Sequence, residues 1–279
     1  MKSSYAQLLV HLDPSAQASA RLHIAGLLAT LFGATVTGLY AATSSQAGLA
    51  FAPEAGPEMV RALIAVDDNN LAQARAAFET SQANAPTRAK WAQVSDAAIV
   101  TAFVEQALFA DLLVLGQADP SRSGTLHVTG DFVESIVVES GKPALLLPYF
   151  GAPPNVGRTV VIAWKPTREA ARAVAAAMPF LQRAAAVHVV SWDAHEEAIG
   201  GERLDLPGYL KLHGIEASFH RQGAETNDMG ELLLSRAFDL QADLLVMGCY
   251  GHSRAREWVL GGVSRTILQS MTLPVLMAH

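Results

Sequence analysis

The chain has one cysteine, Cys249, so an internal disulfide framework is excluded. Charge is scarce: Asp, Glu, Lys and Arg together make up 16% of the residues, with a net charge of −6. No stretch is dominated by Lys and Arg, which argues against a nucleic-acid footprint, since that needs a basic face. Long apolar runs are also missing. Those around Leu145–Leu147 fall far short of the roughly 20 residues that cross a bilayer. One Lys followed by Ser-Ser-Tyr, with no extended apolar core, predicts no signal peptide and a cytoplasmic protein. There is no Gly-x-Ser-x-Gly elbow and no Cys/His dyad. No helical His pair or carboxylate cluster suggests a metal site; His188 and His220 fall in predicted strands and His213 at a helix end. Asp67-Asp68 superficially suggests a phospho-acceptor pocket but lies in a predicted helix, away from any strand end.

What is present is apolar and repetitive. Hydrophobic residues make up 51% of the chain, and Ala-rich stretches alternate with short Val/Leu/Ile runs, the pattern of an α/β fold. A length of 279 residues suggests two domains. Three segments recur in the same order. Leu8-Leu-Val-His-Leu-Asp-Pro-Ser15 matches Val160-Val-Ile-Ala-Trp-Lys-Pro-Thr167 at an offset of 152. Asp111-Leu-Leu-Val-Leu-Gly116 matches Asp243-Leu-Leu-Val-Met-Gly248 at 132, and Pro143 matches Pro274 at 131. The first copy therefore carries about 20 extra residues in its middle, around residues 43–57 and the helical stretch after them. A repeat this long means duplicated domains rather than a solenoid.

Each copy reads β-α-β-α-β-α-β-α-β. Strands are predicted near 8–11, 35–40, 89–94, 112–115 and 144–147, then 159–163, 186–191, 215–220, 244–247 and 274–278. Thr167 is placed to cap a helix, and His213-Gly214 to stop one. Near-continuous apolar strands alternating with helices imply parallel sheets covered on both faces. Residues 151–157, rich in Gly and Pro, read as the linker.

Chemistry is expected beyond the carboxyl ends of the strands, where the first and fourth strands of each copy flank a crevice. In the second copy Gly248-Cys249-Tyr250-Gly251 follows the fourth strand, and Gly261-Gly262-Val263-Ser264 opens a helix. Glycines admit phosphate oxygens close to backbone N–H groups, and a helix N-terminus adds free donors and a positive dipole end. Ser264 offers a hydroxyl, and His252, Arg254 and Arg256 offer positive charge.

This strand–loop–helix arrangement of Gly248-x2-Gly251-x9-Gly261 resembles the ATP-binding signature of the universal stress protein family, and the element order of the chain resembles that family's tandem members. The resemblance implies two tandem Rossmann-like domains, each a five-stranded parallel sheet with helices on both faces. Residues 1–150 would form a degenerate domain and 158–279 one with a glycine-rich phosphate loop. It implies ATP, with magnesium, held in the second domain by Gly248, Gly251, Gly261, Gly262, Val263, Ser264 and Lys165. Two departures stand out. The signature's Ser or Thr after its last glycine is Gly262 here, and the Asp that meets the nucleoside end is Lys165. The first copy keeps Asp13 but has Asp119 and Asp131 at the positions of Gly251 and Gly262, which would repel a polyphosphate.

Several alternatives remain open at this level. The loop is either a phosphate cradle or a plain β–α connection. Asp13 is either a helix cap near Ser15 or a ligand contact, and Trp164 either stacks on a purine or packs between domains. Cys249, in the loop, is either an inert thiol, the usual case for a lone cysteine, or a redox sensor. Family relatives dimerise through their last strands, so residues 144–147 and 275–277 are expected to meet in an intramolecular pseudo-dimer, alongside a homodimer or an unknown protein partner. The chain then acts as a nucleotide-responsive stress regulator or as a stress scaffold with no ligand. A slow ATPase ranks last, because no general base lies near the loop.

Overall fold

The computed structural model describes residues 4–46, 49, 55–83, 89–94, 98–118, 128–151, 155–192, 204–223, 228–249 and 262–279. The chain divides into two compact units, one of residues 5–142 and one built on residues 143–279.

In the first unit the chain runs β1 (Gln7–Leu12), α1 (Gln17–Phe32), β2 (Thr35–Tyr40), α2 (Pro57–Ala83), β3 (Ala89–Gln93), α3 (Ile99–Ala107), β4 (Leu112–Gly116) and α4 (Phe132–Ser140). Strand β1 pairs in parallel with β2 and β4, and β2 with β3, so the order is β3-β2-β1-β4. The order reverses between β1 and β4, as a doubly wound sheet requires. The apolar runs predicted for central strands are buried: Leu8, Val10 and Leu112–Leu115 are wholly inaccessible. The extra middle residues of the first copy include α2, a 27-residue helix that buries only Ala74 and Phe78 among its described side chains. Asp67 lies within it and accepts hydrogen bonds from Ser44 Oγ and the Ser45 N–H, tying the preceding segment to the helix.

The second unit runs β5 (Ala144–Leu147), β6 (Thr159–Trp164), α5 (Arg168–Ala176), α6 (Met178–Leu181), β7 (Ala186–Trp192), α7 (Leu206–Leu212), β8 (Ser218–Gln222), α8 (Met229–Asp239), β9 (Leu244–Gly248), α9 (Val263–Ser270) and β10 (Val275–Ala278). Five parallel strands lie in the order β10-β9-β6-β7-β8. Strand β5 adds to β10 in antiparallel register, with Leu145 opposite Leu276. The repeat's fifth strand therefore pairs with its counterpart, as expected of residues 144–147 and 275–277.

One strand starts later than its sequence suggests. Ile215 was expected to open β8, but its N–H bonds back to the Leu210 carbonyl (2.9 Å) while Gly214 N–H reaches Lys211 (2.9 Å). This is a Schellman stop with Gly214 at φ +74°. Ile215 and Leu210 are both buried, so Ile215 serves the helix end rather than the sheet. Helix α8 ends the same way, except that Gln241 takes the left-handed position at φ +53°.

Candidate functional site

In the second unit, β6 and β9 run side by side and deliver Trp164 and Gly248 to the carboxyl edge of the sheet. After β6 the chain turns sharply, with Thr167 N–H donating to the Lys165 carbonyl (2.7 Å). Thr167 then caps α5 by accepting from the Ala170 N–H, as predicted. Gly248 is required by close approach. A Cβ there would lie 2.4 Å from the Ala170 nitrogen and 2.5 Å from the Glu169 carbonyl carbon. The first turn of α5 is thus seated directly on the end of β9.

That contact brings Glu169, in the first turn of α5, to the site. Its side chain is 3% exposed and paired with Arg168. Burial pushes the carboxyl pKa up, but the hydrogen bond from Arg168 and that residue's charge outweigh it and hold the group below the usual range. An ionised carboxylate therefore stands in the helix turn that backs the crevice.

Gly262 is the N-cap of α9, and its carbonyl accepts from the Arg265 (2.9 Å) and Thr266 (3.2 Å) N–H groups. Val263 is half-buried and Ser264 buried in the first turn. Lys165 is exposed at the end of the β6 turn and Trp164 is half-buried. Gly251 and Gly261, with Tyr250, His252, Arg254 and Arg256, lie outside the described residues. Cys249 is 1% exposed, which fits the inert thiol rather than a redox sensor. Its N–H donates to the Ala278 carbonyl (3.0 Å) and its carbonyl accepts from His279 Nδ1 (3.1 Å), which draws it into the sheet edge.

The first unit fills the equivalent space differently. Asp13 does not cap α1, whose N-cap is Ala16 without a side-chain bond. Its carboxylate accepts from the Ser15 N–H (3.1 Å) and from Arg21 Nη2 (2.7 Å). Arg21 also donates through Nε to the His11 carbonyl (2.8 Å). Desolvation raises the Asp13 pKa, yet the Arg21 guanidinium overrides it and keeps the carboxyl well below the usual carboxylate range. Removing one partner of such a buried pair leaves an uncompensated charge, a cost of about 3–5 kcal/mol. The guanidinium lies against Gly116, where a Cβ would fall 2.4 Å from Arg21 Nη1. His11 is buried beside Phe103 and Phe132, and burial lowers its pKa to about 4. Burial, followed by the charges of Asp67 and Asp13, pushes the Tyr40 hydroxyl up to about 12. Asp131 is exposed at the N-cap of α4, the place Gly262 holds in α9, while Asp119 lies outside the described residues.

Arg21 was missed although a signal for it exists. Ala18, Leu22, Ala25, Leu28, Ala29 and Phe32 form the buried stripe of α1, and Arg21 stands within that stripe, eight residues after Asp13. A charge on a core-facing stripe needs a partner, and its repeat counterpart at the 152-residue offset is the wholly buried Ala173. Among the described residues no group of three His, Cys, Asp or Glu side chains is placed to hold a metal ion, and no helix is long and apolar enough to cross a membrane.

Residues 157–279 match the model of the universal stress protein family. A universal stress protein from Archaeoglobus fulgidus DSM 4304 has the same fold over 98% of this chain and 95% of its own, at 16% identity and a TM-score of 0.69. A functionally unknown protein from Pseudomonas aeruginosa PAO1 aligns over 98% of this chain and 92% of its own, at 17% identity and a TM-score of 0.58. No curated protein sequence matches the chain significantly.

Proposed function

We propose that residues 157–279, which match the universal stress protein family model, form a domain of that family, and that the chain is a stress-response protein whose second crevice takes an adenine nucleotide, ATP with magnesium, as a regulatory ligand rather than a substrate. The observation that carries this reading is the glycine frame. Gly248 ends β9 with the first turn of α5 seated on it, and Gly262 opens α9. In a parallel α/β unit both helix N-termini lie toward the carboxyl edge of the sheet, and their positive dipole ends suit phosphate oxygens. Gly251, Gly261, Val263 and Ser264 complete the cradle in this reading, and Lys165 adds positive charge at the β6 turn. Occupancy of the crevice would change which protein partners the chain holds. The antiparallel β5–β10 pair supports a pseudo-dimer of two family domains within one cytoplasmic chain.

Titration calorimetry of the full chain with magnesium and ATP tests this. One site per chain is expected. Gly262→Asp installs the first unit's residue: the helix keeps a good N-cap, but a carboxylate now faces the phosphates. Affinity should fall at least about tenfold, or about 1.4 kcal/mol. Silence at millimolar nucleotide with a folded sample overturns the proposal. Glu169 favours a second reading, a scaffold with no ligand, because its buried carboxylate backs the same crevice. That reading expects the calorimetric silence.

A further inference from the structure

We propose that Arg21 is the resident occupant of the first unit's ligand crevice: its guanidinium takes the space over Gly116, between the carboxyl ends of β1 and β4, and closes that crevice to small ligands. The placement follows from the topology. Asp13 comes directly after β1 and Gly116 ends β4. The two strands are parallel neighbours in register from Leu8↔Leu112 to Val10↔Val114. Strand order reverses between them, and in doubly wound sheets that switch point is where ligands lie.

The guanidinium is held there as a ligand would be. One face of the fork is met by the Asp13 carboxylate (2.7 Å) and another by the His11 carbonyl (2.8 Å). The side chains of Arg21 and Asp13 are 4% and 11% exposed. Gly116 supplies the flat floor, since a methyl group there would sit 2.4 Å from Nη1. The second unit lacks the plug, with Ala173 at the counterpart of Arg21 and Lys165 at that of Asp13. The two crevices have therefore diverged in kind: over the glycine that ends the fourth strand the first carries its own cation at Gly116, and the second carries the backbone of the first turn of α5 at Gly248. A consequence is that the first unit keeps its crevice ordered without any ligand.

If Arg21 acts as a built-in ligand, removing its side chain leaves a cation site of matching chemistry, a buried carboxylate and a carbonyl oxygen over a glycine floor. The test is chemical rescue of the full chain. Arg21→Ala should melt below wild type. Methylguanidinium chloride at about 10 mM should raise its melting temperature by a few degrees in a saturable way. The same salt should leave wild type and the Asp13→Asn/Arg21→Ala double variant unmoved, and sodium chloride should have no such effect. A folded Arg21→Ala protein that methylguanidinium shifts no more than wild type overturns the proposal. Should Arg21→Ala fail to fold, Gly116→Ala decides the matter with both charges retained. The added methyl must displace the guanidinium, so the Asp13 carboxyl, followed by carbon NMR, should titrate higher than in wild type. An unchanged Asp13 titration overturns the placement. Neither arm uses nucleotide, so the outcome is independent of what the second crevice binds.

Discussion

Acidification should strike the first unit through His11, and the size of the effect can be worked out. His11 is 3% exposed, between the rings of Phe103 (centroids 5.8 Å apart) and Phe132 (4.6 Å). Its Nε2 lies 2.8 Å from the Ala41 carbonyl. A carbonyl only accepts, so Nε2 carries the proton and the neutral ring leaves Nδ1 bare. Protonating Nδ1 would place a charge among aromatic side chains. Burial therefore lowers the pKa from 6.5 to about 4, with the nearby Asp13 carboxylate partly offsetting the shift. The sign follows directly. Between those two values the unfolded chain binds a proton that the folded chain refuses, so stability falls as pH drops through the window. At about 1.4 kcal/mol per pKa unit, the loss relative to neutral pH is about 2 kcal/mol at pH 5 and about 3 kcal/mol at pH 4.

His11→Gln is the control. Its amide can keep a donor near Ala41 but cannot titrate. Urea unfolding of both proteins from pH 8 to pH 4, followed on the first unit by Trp91 fluorescence in variants lacking the other tryptophans, gives the difference directly. The wild-type and His11→Gln stability curves should run parallel above pH 7 and separate by about 2–3 kcal/mol on the acid side. A proton NMR titration of the His11 ring adds a second reading. Parallel curves throughout, or a His11 ring that titrates near 6.5, refute the reasoning.

Two further predictions concern stability. Gln241 occupies a left-handed position that glycine adopts without strain, so Gln241→Gly should stabilise the second unit by about 0.5–1 kcal/mol, read as a shift in denaturation midpoint at constant slope. Leu276, wholly buried and paired with Leu145 on one side and Val246 on the other, anchors the β5–β10 seam. Leu276→Ala should cost about 2–5 kcal/mol and speed amide exchange along β5 as well as β10, whereas exchange changes confined to β10 would show that the seam carries no load.

Much of the fold was legible because it depends on local rules. Short apolar runs marked the most buried strands, β5 begins and ends where its run does, and β2 has the bounds predicted for it. Thr167 announced its cap through side-chain chemistry alone. Ile215 misled because a β-branched apolar residue suits both a strand and the sealing contact of a helix stop. Only the position of Leu210 in the folded chain decides between them. The burial of Cys249 was not legible either: it follows a strand in sequence, but its backbone is bonded to Ala278 and His279 from a distant segment.

The duplication and its divergence are properties of the sequence alone. The matching segments, the glycine spacing after Gly248 and the Asp13 and Lys165 exchange can all be read without coordinates, because repeats and turn chemistry are written in residue order. What lies in each crevice is a tertiary matter. Whether Asp13 caps a helix, meets a ligand or holds Arg21 depends on a guanidinium reaching back eight residues across the end of a sheet that β4, about a hundred residues later, completes. Whether the glycine at Gly248 serves a ligand or a helix depends likewise on the turn of α5 seated against it. Charge pairing and close packing act through space, so the same residues in the same order acquire these roles only once the strands are side by side.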